Sequence, residues 1–361
     1  MSIITIDSRM IDSSGIGTYL QNVLPRIINN TVHQFFLLGN AKKLSRFNMF
    51  ISRRVSLIEC NAPIYSLKEQ LEIARLVPND TNLYWSPHYN IPLLYTGKIL
   101  VTVHDLFHLA MPQYVKGIHQ RMYARMMFNV ACRKTTSIIC VSNFTKQELE
   151  RLVHHKKPPL AVIYNGVADD WQDFGPGRIP DDKPYFLYVG NVKPYKNLVN
   201  LLEAFGKLTA KIPHELMIVG KKEGFITEDR EVAAKASHLG DRVRFTGFIE
   251  RDLLRQYYKQ AAALVFPSRY EGFGLPPLEA MASGCAVIVS NAASLPEICG
   301  NAALYCDPDS ADDIANKMME IIHNLNLKES LIKKGYRRVE EFTWDKCAAA
   351  TIKVIEEIVS N

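Results

Sequence analysis

Short apolar runs rich in β-branched and aromatic residues recur along the 361-residue chain, and most are followed by a stretch with helical periodicity. In the first series these are IITI (3–6), FFLLG (35–39), NLYW (82–85), ILVTV (99–103) and SIICV (137–141), ending in LAVIYNGV (160–167). The second series comprises YFLYVG (185–190), LMIVG (216–220), VRFTG (243–247), ALVFP (263–267), AVIVS (286–290) and ALYC (303–306). Strands alternating with helices imply parallel sheets joined by crossover helices. Between the series lies ADDWQDFGPGRIPDDKP (168–184), rich in Asp, Gly and Pro and without periodicity, which reads as a linker. The pattern predicts two α/β domains, residues 1–172 and 173–340, with a cleft between them and an amphipathic C-terminal segment, 341–361.

Composition narrows the class of protein. An apolar share of 47% with 22% charged residues is that of a globular chain and argues against disorder. The seven cysteines are scattered and form no C-x-x-C pair, which fits buried thiols better than a disulfide framework or a zinc site. The N-terminus lacks the pattern of a signal peptide, and no apolar run is long enough for a membrane helix, so the expectation is a cytoplasmic protein. Residues 1–172 carry 19 Lys/Arg against 11 Asp/Glu, whereas residues 173–361 carry 24 against 26. The basic excess is concentrated in 111–157, with Lys116, Arg121, Arg125, Arg133, Lys134, Lys146, Arg151, Lys156 and Lys157. In MPQYVKGIHQRMYARMMFNVACRK these basic positions alternate with Tyr, Met and Phe at helical spacing. That stretch reads either as an ordinary solvated helix or as a surface for anionic lipid or a phosphorylated acceptor. No nucleic-acid motif accompanies it.

In parallel sheets of this kind ligands bind beyond the carboxyl ends of the strands. After ALVFP comes SRYEGFGLPPLEAMASG (268–284), in which Glu271 and Glu279 stand eight positions apart around Gly272, Gly274 and two prolines. The glycines let backbone approach a ligand, and the prolines suit the first turn of a helix running PLEAMAS to a Gly284 cap. Glu279 then falls in the first turn, where it either complements the helix dipole or, with Glu271, accepts hydrogen bonds from a polyol. The helix N-terminus itself favours phosphate. A sugar joined to a diphosphate satisfies both halves of the motif.

Three other loops follow strands. After YFLYVG, Lys193 and Lys196 flank Pro194 before an amphipathic helix; each is either solvated or placed to neutralise a diphosphate. After ILVTV, His104 precedes Asp105, a helix cap, and reads either as a structural hydrogen-bonder or as a contact to a reacting sugar. The N-terminal MIDSSGIGTYL has Gly15 and Gly17 in a G-x-G-x-x-L arrangement; Leu20 replaces the third glycine of a dinucleotide loop, which weakens an NAD reading but keeps a close-approach loop.

Taken in order, SSGIGTYL, VTVHDLFH, VSNFTKQEL, IYNGV, YVGNVKPYKNL, VRFTGF, ALVFPSRYEGFGLPPLEAMASG and the final FTW segment span nearly the whole chain. Together they resemble the retaining nucleotide-sugar glycosyltransferases of family 4, which have the GT-B architecture of two Rossmann-like domains. The resemblance implies that Glu279 binds the nucleotide ribose, and that Glu271 with Gly272, Phe273, Gly274 and Leu275 holds the donor sugar and diphosphate. By the same resemblance Lys196 meets the charge on the departing diphosphate, Gly15 and Gly17 approach it, and His104 sits beside the sugar. Asn191 stands where many members have Arg, with Lys193 as the substitute. The terminal helix would cross back onto the N-terminal domain, with hinges near 172–184 and 340.

The implied reaction breaks the donor's anomeric C–O bond and delivers the sugar, with retention, to an acceptor hydroxyl. No cofactor is expected. Asp307-Pro308-Asp309 formally matches the D-x-D of metal-using transferases, but proline and the following helix favour a turn with a cap, so no metal is expected. GDP-mannose is the first donor by resemblance to bacterial polysaccharide (O-antigen type) mannosyltransferases, with UDP-hexose or UDP-N-acetylhexosamine next. The implied acceptor is a glycan or an undecaprenyl-diphosphate-linked saccharide, reached at the inner face of the plasma membrane. A non-catalytic sugar-nucleotide binding protein would keep the same loop and stays open as an alternative.

Overall fold

The computed structural model describes residues 1–47, 52–115, 117–154, 157–167, 171, 183–220 and 230–361. Lys116, Lys156 and most of the expected linker and hinge, 168–170 and 172–182, lie outside the described residues. The chain divides into two compact units, Met1–Gly166 with Trp344–Asn361, and Val167–Thr343. These boundaries fall six and three residues from the sequence-based ones, because Val167 bridges to Thr343 and its N–H donates to the Phe342 carbonyl at 2.9 Å.

The first unit holds a parallel sheet of β1 (Ile3–Asp7), β2 (Gln34–Gly39), β3 (Val55–Glu59), β4 (Leu83–Ser86), β5 (Ile99–Val103), β6 (Ser137–Cys140) and β7 (Leu160–Val162), in the order β3-β2-β1-β4-β5-β6-β7. Strands such as β5 are buried at every residue, as expected where helices cover both faces of the sheet. The edge strand β3, VSLIE, is mostly exposed, which is why its apolar signal is too weak to read from sequence. The helix Trp344–Ser360 completes this unit. Asp345 accepts from Arg26 at 2.6 Å, Glu356 lies 2.8 Å from His33, the Ile358 carbonyl accepts from Lys98 at 2.8 Å, and Trp344 packs edge-on to Tyr19.

The second unit holds β8 (Tyr185–Val189), β9 (Glu215–Val219), β10 (Val243–Gly247), β11 (Leu264–Phe266), β12 (Val287–Ser290) and β13 (Leu304–Cys306), in the order β10-β9-β8-β11-β12-β13. In both sheets the order reverses beside the first strand of the unit, which leaves a crevice at the carboxyl ends of β1 and β4, and of β8 and β11. Among the described residues no helix is long and apolar enough to cross a membrane. The described cysteines are all free and buried.

Candidate active site

β11 ends at Phe266 and the chain enters the glycine loop of the second unit. The helix that follows runs Leu275–Ala282, two residues earlier than the sequence suggested. Gly274 makes this early start possible: it sits at φ 113°, and a Cβ there would meet Leu295 Cδ2 at 2.8 Å. Pro276 and Pro277 become the second and third helical residues, and Glu279 the fifth, so the placement of Glu279 in the first turn is corrected to the second. The two prolines also remove N–H groups that would face an anion, so the N–H donors left at this helix start belong to the loop and to Leu275. The far end closes as expected: Gly284 takes φ 73°, its N–H reaches the Met281 carbonyl at 3.1 Å, and Cys285 N–H reaches Ala280 at 2.9 Å. This is the paired bonding of a Schellman cap.

Glu271 is paired with Lys196, whose ammonium bonds its carboxylate; the side chains are 13% and 16% exposed. Lys196 also lies 5.3 Å from the Phe266 ring centroid and 5.5 Å from that of Tyr195. Its position is set by a 3-10 turn, Pro194–Lys196, and by Asn197 beyond it. Asn197 is buried at φ 64° and donates to the carbonyls of Pro267 at 3.0 Å and Pro308 at 2.6 Å, tying the lysine turn to the glycine loop. A second staple is Ser294, fully buried, whose hydroxyl lies 2.9 Å from the Glu271 carbonyl and 2.7 Å from that of Phe273. Phe273 is buried edge-on to Phe342. Neither Asn197 nor Ser294 stands out in the sequence, since their partners lie 21 to 111 residues away.

Glu279 points elsewhere. Its carboxylate accepts from the Tyr258 hydroxyl at 3.1 Å. Burial pushes the Glu279 carboxyl up to about 7, against Tyr258 and the charge of Arg251, which both pull it down. Tyr258 packs edge-on to Trp171, over which Arg251 and Arg255 also lie. The two glutamates therefore serve different corners of the loop, one held by an ammonium and one by a phenol. Lys193 is exposed at the start of the lysine turn, and the Asn191 carbonyl accepts from the Tyr188 hydroxyl at 3.3 Å.

Asp307-Pro308-Asp309 forms the turn. Asp307 accepts from the Asp309 N–H at 2.8 Å, Asp309 pairs with Arg269 at 2.7 Å, and Ser310 caps the next helix through Asp313 N–H at 3.1 Å.

In the first unit His104 follows β5. Its Nε2 lies 3.0 Å from the Pro87 carbonyl and its ring packs edge-on to Tyr19, 5.0 Å between centroids. Since a carbonyl only accepts, Nε2 carries the hydrogen. Burial pushes the imidazole down to about 4, so at neutral pH the ring is uncharged and Nδ1 is its acceptor. Such a group takes a hydrogen bond from a hydroxyl but is a weak base. Asp105 accepts from Phe107 N–H at 3.0 Å; the N-cap of the helix Phe107–Ala110 is Leu106, so Asp105 ties down the first helical N–H from one residue outside the cap position expected of it. Gly15 is exposed in the first turn of the helix Ser14–Asn29, while Gly17 is buried, and a Cβ there would stand 2.5 Å from the Ile11 carbonyl oxygen. Packing of its own loop thus accounts for Gly17, whereas Gly15 faces open space.

Among the described residues one group has metal-ligand spacing: Asp7, Glu69 and His88, all buried, with ligand atoms within 4.8 Å of one another. Arg9 already fills it, bonding Asp7 at 2.6 Å and Glu69 as well. Burial alone would raise the Asp7 carboxyl, yet hydrogen bonds from Arg9 and His88 hold it well below the usual carboxylate range. The cluster is an ion network, and sequence reasoning missed it.

Residues 169–338 match the family model described as glycosyl transferases group 1, and residues 77–171 match glycosyltransferase family 4. The chain is 27% identical over 281 residues to O-antigen chain mannosyltransferase B of Escherichia coli, spanning 75% of this chain and 73% of that one. It is 31% identical over 227 residues to O-antigen chain mannosyltransferase RfbU of Salmonella typhimurium, 63% of this chain and 61% of that one. Among solved structures, HepE of Anabaena in complex with UDP and glucose superposes with a TM-score of 0.80 at 16% identity, covering 99% of this chain and 100% of that one. Sucrose-phosphate synthase of Thermosynechococcus elongatus gives 0.78 at 20% identity over the whole of both chains.

Proposed function

The chain belongs to the family 4 glycosyltransferases and has the two Rossmann-like units of the GT-B fold, and from that premise we propose that it moves a hexose, with retention, from a nucleoside-diphosphate sugar to a growing cell-surface polysaccharide. The observation that carries this reading is the Lys196–Glu271 pair, held on the glycine loop that leads into the Glu279 helix. Glu279 accepts the ribose hydroxyls. Glu271 and the backbone of Gly272, Phe273, Gly274 and Leu275 take the sugar and diphosphate, with Asn191 and Lys193 toward the phosphates. As the anomeric C–O bond breaks, negative charge grows on the diphosphate and is met by Lys196 and the loop N–H groups. The acceptor hydroxyl forms the new bond on the same face, and its proton passes to the leaving phosphate oxygen. Within the first unit, His104 is a neutral acceptor suited to a sugar hydroxyl, and Gly15, exposed with open space around it, suits close approach of a phosphate, whereas Gly17 is packed against Ile11. No metal enters this scheme; Asp307 and Asp309 are engaged in a turn and an arginine pair, and EDTA is expected to leave turnover unchanged.

GDP-mannose is the donor we assign first, since relatives at 27% and 31% identity are named mannosyltransferases. A thermal-shift panel with GDP, UDP, ADP, CMP and NAD tests this. At about 100 times its Kd a bound nucleotide adds roughly 2.7 kcal/mol, on the order of 5–10 °C for a unit of this size. Stabilisation by GDP alone supports the assignment; UDP alone moves the donor to a UDP-hexose or UDP-N-acetylhexosamine; NAD alone, or no shift, removes the donor-site reading.

The acceptor is a saccharide on undecaprenyl diphosphate, met at the inner face of the plasma membrane. What supports this is the helix Ile118–Lys134. Ala124, Met127, Phe128 and Ala131 bury its inner side, while Ile118, Met122 and Met126, one turn apart, are 73%, 66% and 45% exposed beside Arg121, Arg125 and Arg133. An exposed apolar stripe flanked by cations suits an anionic bilayer surface. Sedimentation with vesicles of about one-third phosphatidylglycerol is expected to capture the protein and to lose it in Met122→Glu/Arg125→Glu and at high salt; equal capture by neutral vesicles would remove the electrostatic part of this reading.

A further inference from the structure

Tyr65 has φ 65°, one of three non-glycine residues in the left-handed region among those described. For a bulky side chain this is a genuine outlier, and such strain persists where the surroundings impose it. The surroundings are the buried ion network. Tyr65 N–H donates to Glu69 Oε2 at 2.8 Å, and Asn90 donates to the same oxygen at 2.5 Å. Glu69 is 1% exposed and its other oxygen is bonded by Arg9, which pairs in turn with Asp7 at the end of β1. The backbone of Tyr65 is thus fixed from beneath by charges that cannot relax into water.

What this conformation achieves is the placement of a ring. Tyr65 is 44% exposed, yet its ring stacks on Tyr89 at 5.7 Å and 23°, and Tyr89 stacks on Phe128 at 4.3 Å and 24°. Tyr123 stands edge-on to Tyr65 at 6.1 Å and is itself tied to the network, its hydroxyl donating to Asn90 at 2.5 Å. The result is a ladder of stacked aromatic faces that ends at a partly exposed residue, Tyr65, with Tyr123 and His88 edge-on to its ring. It lies where the strand order of the first sheet reverses, between β1 and β4, the place where such sheets receive ligands. The loop that follows β4 serves both features: Asn90 holds the ladder, and the Pro87 carbonyl orients His104.

We propose that Tyr65 is the stacking platform for a pyranose ring of the acceptor glycan, presented by a backbone strain that the Asp7–Arg9–Glu69–Asn90 network maintains. The C–H-rich face of a pyranose carries partial positive charge and fits the negative face of a fixed aromatic ring, while its rim hydroxyls remain free to meet polar groups such as those near His104. A fixed ring also loses little freedom on binding. This assignment rests on the glycosyltransferase reading and names its acceptor subsite.

Tyr65→Gly separates the strain from the ring, because glycine adopts this φ without the steric penalty of a Cβ, which offsets its larger loss of backbone entropy. The variant is expected to keep or raise Tm, while saturation-transfer NMR with manno-, gluco- and galacto-oligosaccharides of two to four residues shows at least one glycan bound by the wild type and its signal reduced tenfold or more by the substitution. Tyr65→Phe, which keeps the face, is expected to retain binding, and the thermal shift given by nucleoside diphosphate should be unchanged in both variants. The assignment is overturned if no glycan in the panel receives saturation from the wild type, or if Tyr65→Gly binds as well as the wild type. A Tyr65→Gly protein that loses Tm and keeps glycan binding would mark the ring as a packing element only. Failure of the donor reading shows separately, as the absence of any nucleotide shift in the wild type.

Discussion

Replacing Lys196 with alanine is expected to lower kcat by two to three orders of magnitude, with nucleoside-diphosphate affinity reduced only about tenfold. The asymmetry follows from where charge develops: the diphosphate is already anionic in the bound donor and gains a further negative charge as the anomeric bond breaks, so the ammonium stabilises the transition state more than the ground state. A second consequence arises in the free protein. Lys196 and Glu271 are both largely buried, so removing the lysine strands a carboxylate at 13% exposure, and Tm should fall. Glu271→Gln removes that stranded charge. The double variant should therefore recover part of the stability lost in Lys196→Ala while remaining inactive, a coupling that a double-mutant cycle reads directly. If Lys196→Ala turns over within about threefold of the wild type, the leaving-group role passes to another residue.

Glu279→Gln is expected to weaken nucleoside-diphosphate binding roughly ten- to hundredfold at pH 8, the range for losing hydrogen bonds to a charged acceptor. Its pH dependence is the sharper signature. Burial pushes the Glu279 carboxyl from 4.5 up to about 7, so near neutrality part of the protein holds it protonated. Ribose hydroxyls donate to the ionised form, so affinity should rise with pH up to about 7 and then level off, falling up to tenfold per unit below it. Folding stability has the opposite slope. A carboxyl with a raised folded value stabilises the native state fully below about 4.5, and that contribution is lost as pH rises through about 7. The wild type minus Glu279→Gln difference should thus show Tm decreasing, and nucleotide affinity increasing, over the same interval. Parallel slopes, or a flat difference in affinity, would separate Glu279 from the ribose.

The tandem series of parallel strands and crossover helices was legible because side-chain periodicity is encoded within a few residues. β5 and β9 are buried along their whole length and read as continuous apolar runs. The Gly284 cap and the Asp307 turn were legible for the same reason, each depending on partners no more than about six residues away. The helix after the glycine loop was misread by two residues: prolines mark the first turn but not which position of it, and only the positive φ of Gly274 against Leu295 decides that.

What the sequence alone determined here is the pair of α/β units and the glycine loop with its two carboxylates. The tertiary structure alone decided that Glu271 belongs to Lys196, 75 residues away, and Glu279 to Tyr258, 21 residues away, and that Tyr65 is held over an ion network drawn from β1, the loop after β4 and the helix Leu67–Leu76. The physical reason is range. Periodicity and caps are local and survive in the order of residues, whereas a buried charge finds its partner only through the strand order that carries distant loops to one end of a sheet.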